Sequence, residues 1–288
     1  MKHLLLNEWI ERKKRHEALV SPLADAFLER RALQKKHPVH DFLFTYYSFS
    51  PTKLKQWVPS FEESLQVEDT SYFNSYWFKE ENNILKLNLN RLRQETLDLA
   101  TSIKKLCQAI LERAPRFGCF GLHEWAMIYE LSQQQLRYTD QKLRLSQEEC
   151  TRFIKSQNLC CTHYDAYRFF THEAKPLNLF KPTLDTRVQH EQGGCLHANM
   201  DIYKWATKLW PWIGSDFIQK AFLIATEGRE LDMRASPYDL KDFGYPPICI
   251  ETENGRKEYQ KLQQEYYKKS LVLREELADF CEKITSLS

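Results

Sequence analysis

Apolar residues recur at helical intervals over the longest stretches of this chain, and that spacing restricts its folds more than any other feature. Leu92, Leu97, Leu99, Ile103, Leu106, Ile110 and Leu111 follow mostly three- and four-residue steps, which predicts a long helix within residues 82–113 that ends before Ala114 and Pro115. Residues 199–210 and 215–233 carry the same pattern, and residues 256–284 close the chain as a long amphipathic helix. With no internal repeat or low-complexity linker, the reading is mainly α: a single helical domain over residues 1–288 with a few short strands. The 288 residues, 42% apolar and 13% aromatic, supply enough apolar surface for a sizeable core.

Residues 1–37 form a basic helical region, carrying Arg12, Lys13, Lys14, Arg15, Arg30, Arg31, Lys35 and Lys36. Ser21 and Pro22 suit an N-cap followed by proline at the first helical position, so two helices are expected here. The charge runs read as a solvated face, and they are also the best local candidate for a phosphate contact. Residues 38–255 form the core region. Val39 to Tyr47 is continuously apolar and aromatic and should run inside. Ser50-Pro51 looks like another helix start, and Tyr72 to Phe78 reads as a strand of a small hairpin. Another helix begins near Gly121 and Leu122. Residues 174–194, with Pro176, Pro182 and Gly193-Gly194, lack periodicity and are read as a long functional loop, a lid or binding segment. Ile248 to Glu251 reads as a short strand, and residues 256–288 as the C-terminal helix.

Charge and cysteine usage exclude several classes. Forty-one Lys and Arg against 39 Asp and Glu leave a formal charge of +2, so no whole-protein attraction to nucleic acid or anionic lipid is expected. No apolar run approaches the roughly 18 to 20 residues of a membrane span, and the first residues lack a secretory apolar region; the expectation is a cytoplasmic protein without a membrane partner. Eight dispersed cysteines read as reduced thiols.

Four stretches concentrate acids, bases and aromatics: Gly118 to Trp125, Cys161 to Phe170, Gly194 to Trp205 and Glu230 to Asp239. Ionisable groups among bulky apolar residues are costly unless paired, neutralised or metal-bound, so the four stretches are expected to converge on one buried polar site. His123, Glu124, His197, Asp201 and Asp232 are the candidate catalytic groups. Glu124 beside Trp125 could work as an acid or base or simply bridge helices. Asn199 as a helix cap would put His197 just outside a helix and Asp201 in its first turn. Asp165, Phe169 and His172 would share a helix face. Asp232 and Arg234 diverge on a helix and share a face in an extended segment, where Arg234 could grip phosphate. Cys161 with His163 and Cys195 with His197 are two Cys-x-His pairs that together would supply a tetrahedral metal shell; buried thiols and hydrogen-bonded imidazoles are the alternative.

These stretches, with Lys36 to Ser48, resemble a bacterial family labelled 3-methyladenine DNA glycosylase. The resemblance spans about Lys36 to Arg256 and rests chiefly on Gly121-Leu122-His123-Glu124-Trp125-Ala126-Met127 and Asn199-Met200-Asp201-Ile202-Tyr203-Lys204-Trp205-Ala206. It implies excision of an alkylated purine from damaged DNA, with no required cofactor. A flipped base would stack on Trp125, Tyr129, Tyr203 or Trp205; Glu124, Asp201 or Asp232 would stabilise the sugar cation; Lys204 and Arg234 would hold phosphate. The Gly-rich hairpin of helix-hairpin-helix glycosylases is absent from the sequence. Two other readings stand beside it. One is a helical enzyme for a small-molecule substrate with a divalent iron, manganese or zinc ion held by some of His37, His123, His163, Asp165, His197 and Asp201. The other is a non-catalytic binder with a polar cavity.

Overall fold

A computed structural model describes residues 1–138 and 140–287. Among them the chain runs β1 (Lys2–Leu4), α1 (Leu6–Ala32), α2 (Asp41–Thr45), α3 (Pro51–Lys55), β2 (Glu63–Gln66), β3 (Phe78–Glu81), β4 (Ile84–Leu87), α4 (Gln94–Glu112), α5 (Leu122–Ala126) and α6 (Gln147–Lys155). It continues with α7 (Tyr164–Tyr167), α8 (Arg187–His190), α9 (Leu196–Lys208), α10 (Ser215–Arg234) and α11 (Glu253–Thr285). The protein is mainly helical with one small sheet. Its residues group into two compact units: Met1–Lys104 with Ile202–Ala225 and Glu276–Ser288, and Lys105–Asp201 with Thr226–Glu275. Among the described residues no helix is long and apolar enough to cross a membrane.

In the first unit α1 is one helix of 27 residues with Pro22 inside it, where two helices were expected. Trp9, His16, Val20, Ala24 and Phe27 are buried along one side at steps of three, four and seven. A proline removes one backbone donor and strains the preceding turn, but burial of each large apolar side chain contributes about 1.5 to 3 kcal/mol, and the continuous stripe outweighs it. Glu8 accepts the Leu5 N–H at 2.8 Å, so the first turn is held without a Ser or Asp cap. Trp9 stacks on Trp57, and His16 bonds the Leu54 carbonyl at 2.7 Å. Most α1 cations near the N-terminal half are paired on the surface: Arg12 with Glu63 and Asp216, Lys13 with Glu17, Lys14 with Glu11. Phe42, Leu43 and Phe44 of α2 are buried as expected, and Pro51 opens α3.

The sheet has strand order β1-β2-β4-β3, with β1 parallel to β2 and the other pairs antiparallel. Leu4 is paired with Leu65 and Leu65 with Leu85, a buried leucine row across three strands. The aromatic segment 72–77 lies outside the hairpin, which is β3 and β4 joined by Asn82 and Asn83 at φ 54° and 61°. Asparagine tolerates this left-handed conformation, and two such residues make the tight turn that matches strand twist. The long helix expected within residues 82–113 is α4, Gln94–Glu112, which ends before Ala114 and Pro115. Ahead of it, buried Leu85 and Leu87 alternate with Lys86, a period of two that marks Ile84 to Leu87 as a strand.

In the second unit residues 174–194 hold a short 3₁₀ turn at Lys175–Leu177 and helix α8, and Glu191 to Gly194 are buried. Helix α7 has only four residues, so Asp165 and His172 do not share a helix face; His172 lies exposed beside Glu173. Ile248 to Glu251 is not a strand: the Ile248 N–H donates to the Arg234 carbonyl and the Ile250 N–H turns back to the Ile248 carbonyl, a tight local turn in place of a ladder.

Candidate functional site

The second unit brings together His123, Glu124, His163, His197, Asp201 and Asp232. Gly121, at φ 70°, is the N-cap of α5, and this positive φ, natural for glycine, starts a short helix whose five residues are all buried. On α10, Arg229 and Asp232 are three residues apart and so share a face. Arg229 Nη1 donates to Glu124 Oε1 at 2.8 Å and to Asp232 Oδ2 at 2.9 Å, and Nη2 donates to Tyr138 Oη at 3.0 Å. His123 Nε2 lies 2.7 Å from the other oxygen, Asp232 Oδ1. Asp232 and Arg229 are each 0% exposed, so every charge in this knot depends on a protein partner.

Helix α9 starts at Leu196, three residues before the expected Asn199 cap. His197 and Asp201 are thus inside it, four residues apart on one face. Asn199 instead donates to the Gly193 carbonyl and accepts from Arg274. The His197 ring sits 4.3 Å from that of His123, edge-on, and 5.5 Å from that of His163, nearly parallel. His163 caps α7: its Nδ1 accepts the Ala166 N–H at 3.3 Å. In the neutral ring that leaves the proton on Nε2, which donates to Asp201 Oδ2 at 3.1 Å. Arg187 of α8 reaches Glu191 at 2.7 Å and Asp201 at 3.5 Å, with Asp165 at 4.0 Å.

Burial and charge set the protonation states. Burial pulls His197 well below the usual histidine value, and the positive neighbours His123 and Arg229 pull it further, against Asp232. Burial also pulls on His123, but Asp232's charge and hydrogen bond, with Glu124's charge, outweigh it and hold His123 above the ordinary value. Asp232 stays below the ordinary carboxylate range although burial opposes this, because the charge and hydrogen bond of His123 and the charge of Arg229 stabilise its anion. His197 is therefore a neutral imidazole, the form that binds metals, whereas His123, whose proton Asp232 favours, would have to release it to bind an ion. Five carboxylates (Glu124, Asp165, Glu191, Asp201 and Asp232) meet two guanidiniums and three imidazoles, an anionic balance that favours a bound cation or protonated imidazoles.

Two groups of three place their ligand atoms within 4.8 Å of one another: His123, His197 and Asp232, and His163, Asp165 and Asp201. The expected Cys161, His163, Cys195 and His197 shell is not among them. His163 turns to Asp201, and the Cys161 thiol points at the His163 carbonyl at 3.6 Å. Cys161 and Cys195, with Cys119 and Cys160, instead line a cavity of about 20 Å³ against His123 and His197. Burial pushes the Cys161 thiol up to about 12 and Cys160 up to about 11, so the wall is made of neutral thiols. The volume suffices for one water-sized group.

The aromatic candidates are engaged elsewhere. Trp125 is 0% exposed, donates to the Ala235 carbonyl and meets Phe153 edge-on. Tyr129 is buried with Lys155 above its ring. Tyr203 belongs to the first unit, where Tyr47, Phe49 and Phe222 pack on it. Lys204 lies over the ring of Trp205. Arg234 ends α10, where it donates to the Pro246 carbonyl and faces Glu258, away from a paired role with Asp232. Sequence reasoning missed Arg229, Tyr138, Arg187 and Glu191. The i, i+3 spacing of Arg229 with Asp232 and the i, i+4 spacing of Arg187 with Glu191 were available signals.

No protein-family model, curated protein or solved structure matches this chain. The reading of the site therefore rests on its geometry and chemistry.

Proposed function

We propose that this protein is a metal-dependent enzyme for a small-molecule substrate, with a divalent iron, manganese or zinc ion held by His123, His197 and Asp232. The observation that carries the reading is this buried group of two imidazoles and one carboxylate beside a cavity of about 20 Å³ lined by both histidines. Two histidines and one carboxylate leave open positions on an octahedral or tetrahedral ion. An ion there would polarise a bound oxygen or activate water. The protein's share is to hold the ligands. Arg229 anchors Asp232 through Oδ2 while Glu124 balances the guanidinium, the kind of outer support that metal-binding carboxylates need. The excision activity implied by the family resemblance would use the same Glu124 and Asp232. The metal reading is preferred because Glu124 is tied to Arg229, and Trp125 and Tyr203 are buried among their neighbours.

Elemental analysis of protein purified without chelator tests the reading. The expected result is about one transition-metal ion per chain, lost in His197→Ala and Asp232→Asn and kept in His172→Ala. Folded protein that neither carries nor takes up iron, manganese or zinc would end the proposal. Release of 3-methyladenine from methylated duplex DNA by chelator-treated protein would establish excision instead.

A further inference from the structure

The first unit contains a second feature, separate from the histidine cluster: a groove of about 670 Å³ along the C-terminal turn of α1, α2 and the turn leading into α3. Its volume is that of a small-molecule pocket. Phe27, Phe44 and Phe49 supply buried apolar walls, and Arg31, Lys35 and Lys36 line the same groove.

These three cations differ from Arg12, Lys13, Lys14 and Arg30, each of which pairs with an acid. Arg31, Lys35 and Lys36 enter no ion pair among the described residues. Basic residues in a last helical turn also offset the helix dipole, but that effect fades within the turn, and Lys35 and Lys36 lie beyond the end of α1. Three like charges on one groove repel one another without an anion between them. The groove's own carboxylate, Asp41, is already occupied: Oδ1 accepts from Arg30 and Oδ2 from the His37 N–H. Gln34 and Ser48, both lining the groove, hold φ at 53° and 55°, a costly conformation for residues with a Cβ.

We propose that this groove binds a small phosphate monoester with an apolar or aromatic body. A phosphate dianion offers three acceptor oxygens to one guanidinium and two ammonium groups, and the phenylalanine wall takes the ester's carbon skeleton. The site is independent of the metal reading.

Calorimetric titration of the full chain with phenyl phosphate, inorganic phosphate, benzoate and phenol tests it. Phenyl phosphate is expected to bind with a dissociation constant of about 0.1 to 1 mM, tighter than inorganic phosphate or benzoate, with phenol not binding. The triple variant Arg31→Gln, Lys35→Gln, Lys36→Gln alters exposed side chains only, and should weaken phenyl phosphate by at least about tenfold with an unchanged circular dichroism spectrum. Chelator-treated protein should bind phenyl phosphate equally, which separates the groove from any metal-bound phosphate. Absence of binding, binding that survives in the triple variant, or loss on chelator treatment would overturn the proposal. Preference for a DNA duplex over phenyl phosphate would overturn it too, making the groove a polyanion surface.

Discussion

Replacing Arg229 by methionine tests the electrostatic account of the buried cluster directly. Methionine keeps much of the side-chain length and fills space adaptably, so the main loss is charge and the hydrogen bonds to Glu124, Asp232 and Tyr138. Asp232 keeps His123 at 2.7 Å. Glu124, 3% exposed, keeps no cation within ion-pairing distance among the described residues. Breaking a buried pair in this way typically costs about 3 to 5 kcal/mol, because one charge stays behind without compensation. Adding Glu124→Gln removes that charge, so the double variant should recover about 1 to 3 kcal/mol relative to Arg229→Met. Urea unfolding followed by tryptophan fluorescence and circular dichroism measures all four proteins of the cycle. A loss below about 1 kcal/mol for Arg229→Met, or a double variant no more stable than the single one, would refute the claim that Glu124 depends on this guanidinium.

Two further outcomes are expected. Arg144 grips both oxygens of Glu251, at 2.7 and 3.2 Å; burial opposes ionisation of Glu251, but the Arg144 bonds win and hold its carboxyl below the ordinary value. A depressed carboxylate contributes stability above the unfolded value of about 4.3 and loses it as pH falls further, so Glu251→Gln should flatten the acid limb of stability against pH, and an unchanged limb would count against the pair. A Cβ on Gly194 would lie 2.3 Å from the Arg116 carbonyl oxygen, whereas one on Gly118 meets nothing within 4 Å; Gly194→Ala should therefore cost about 1 to 3 kcal/mol and Gly118→Ala about 0.5 kcal/mol or less, and equal melting temperatures would contradict the packing before α9.

Long helices were legible wherever one spacing ran uninterrupted. Helices α10 and α11 begin and end within a few residues of the positions read from periodicity, and Gly121 marks the start of α5 as expected. Local signals failed where tertiary packing competed with them. Pro22 looked like a boundary, but the stripe from Trp9 to Phe27 carries α1 through it. The site was half visible: His123, His197, Asp201 and Asp232 stood out as polar groups in apolar surroundings, whereas Arg229 and Arg187 sat in segments that read as ordinary amphipathic helix or loop.

By itself the sequence determined the mainly helical class, the long terminal helix and which stretches set ionisable groups among apolar residues, because periodicity and polarity are properties of neighbours along the chain. Only the tertiary structure decided which imidazole meets which carboxylate. His163 went to Asp201 and His123 to Asp232, and the cysteines expected to bind metal became a thiol wall. Such pairings follow from helix rotation and burial, and a buried charge takes whichever partner packing places within hydrogen-bond reach.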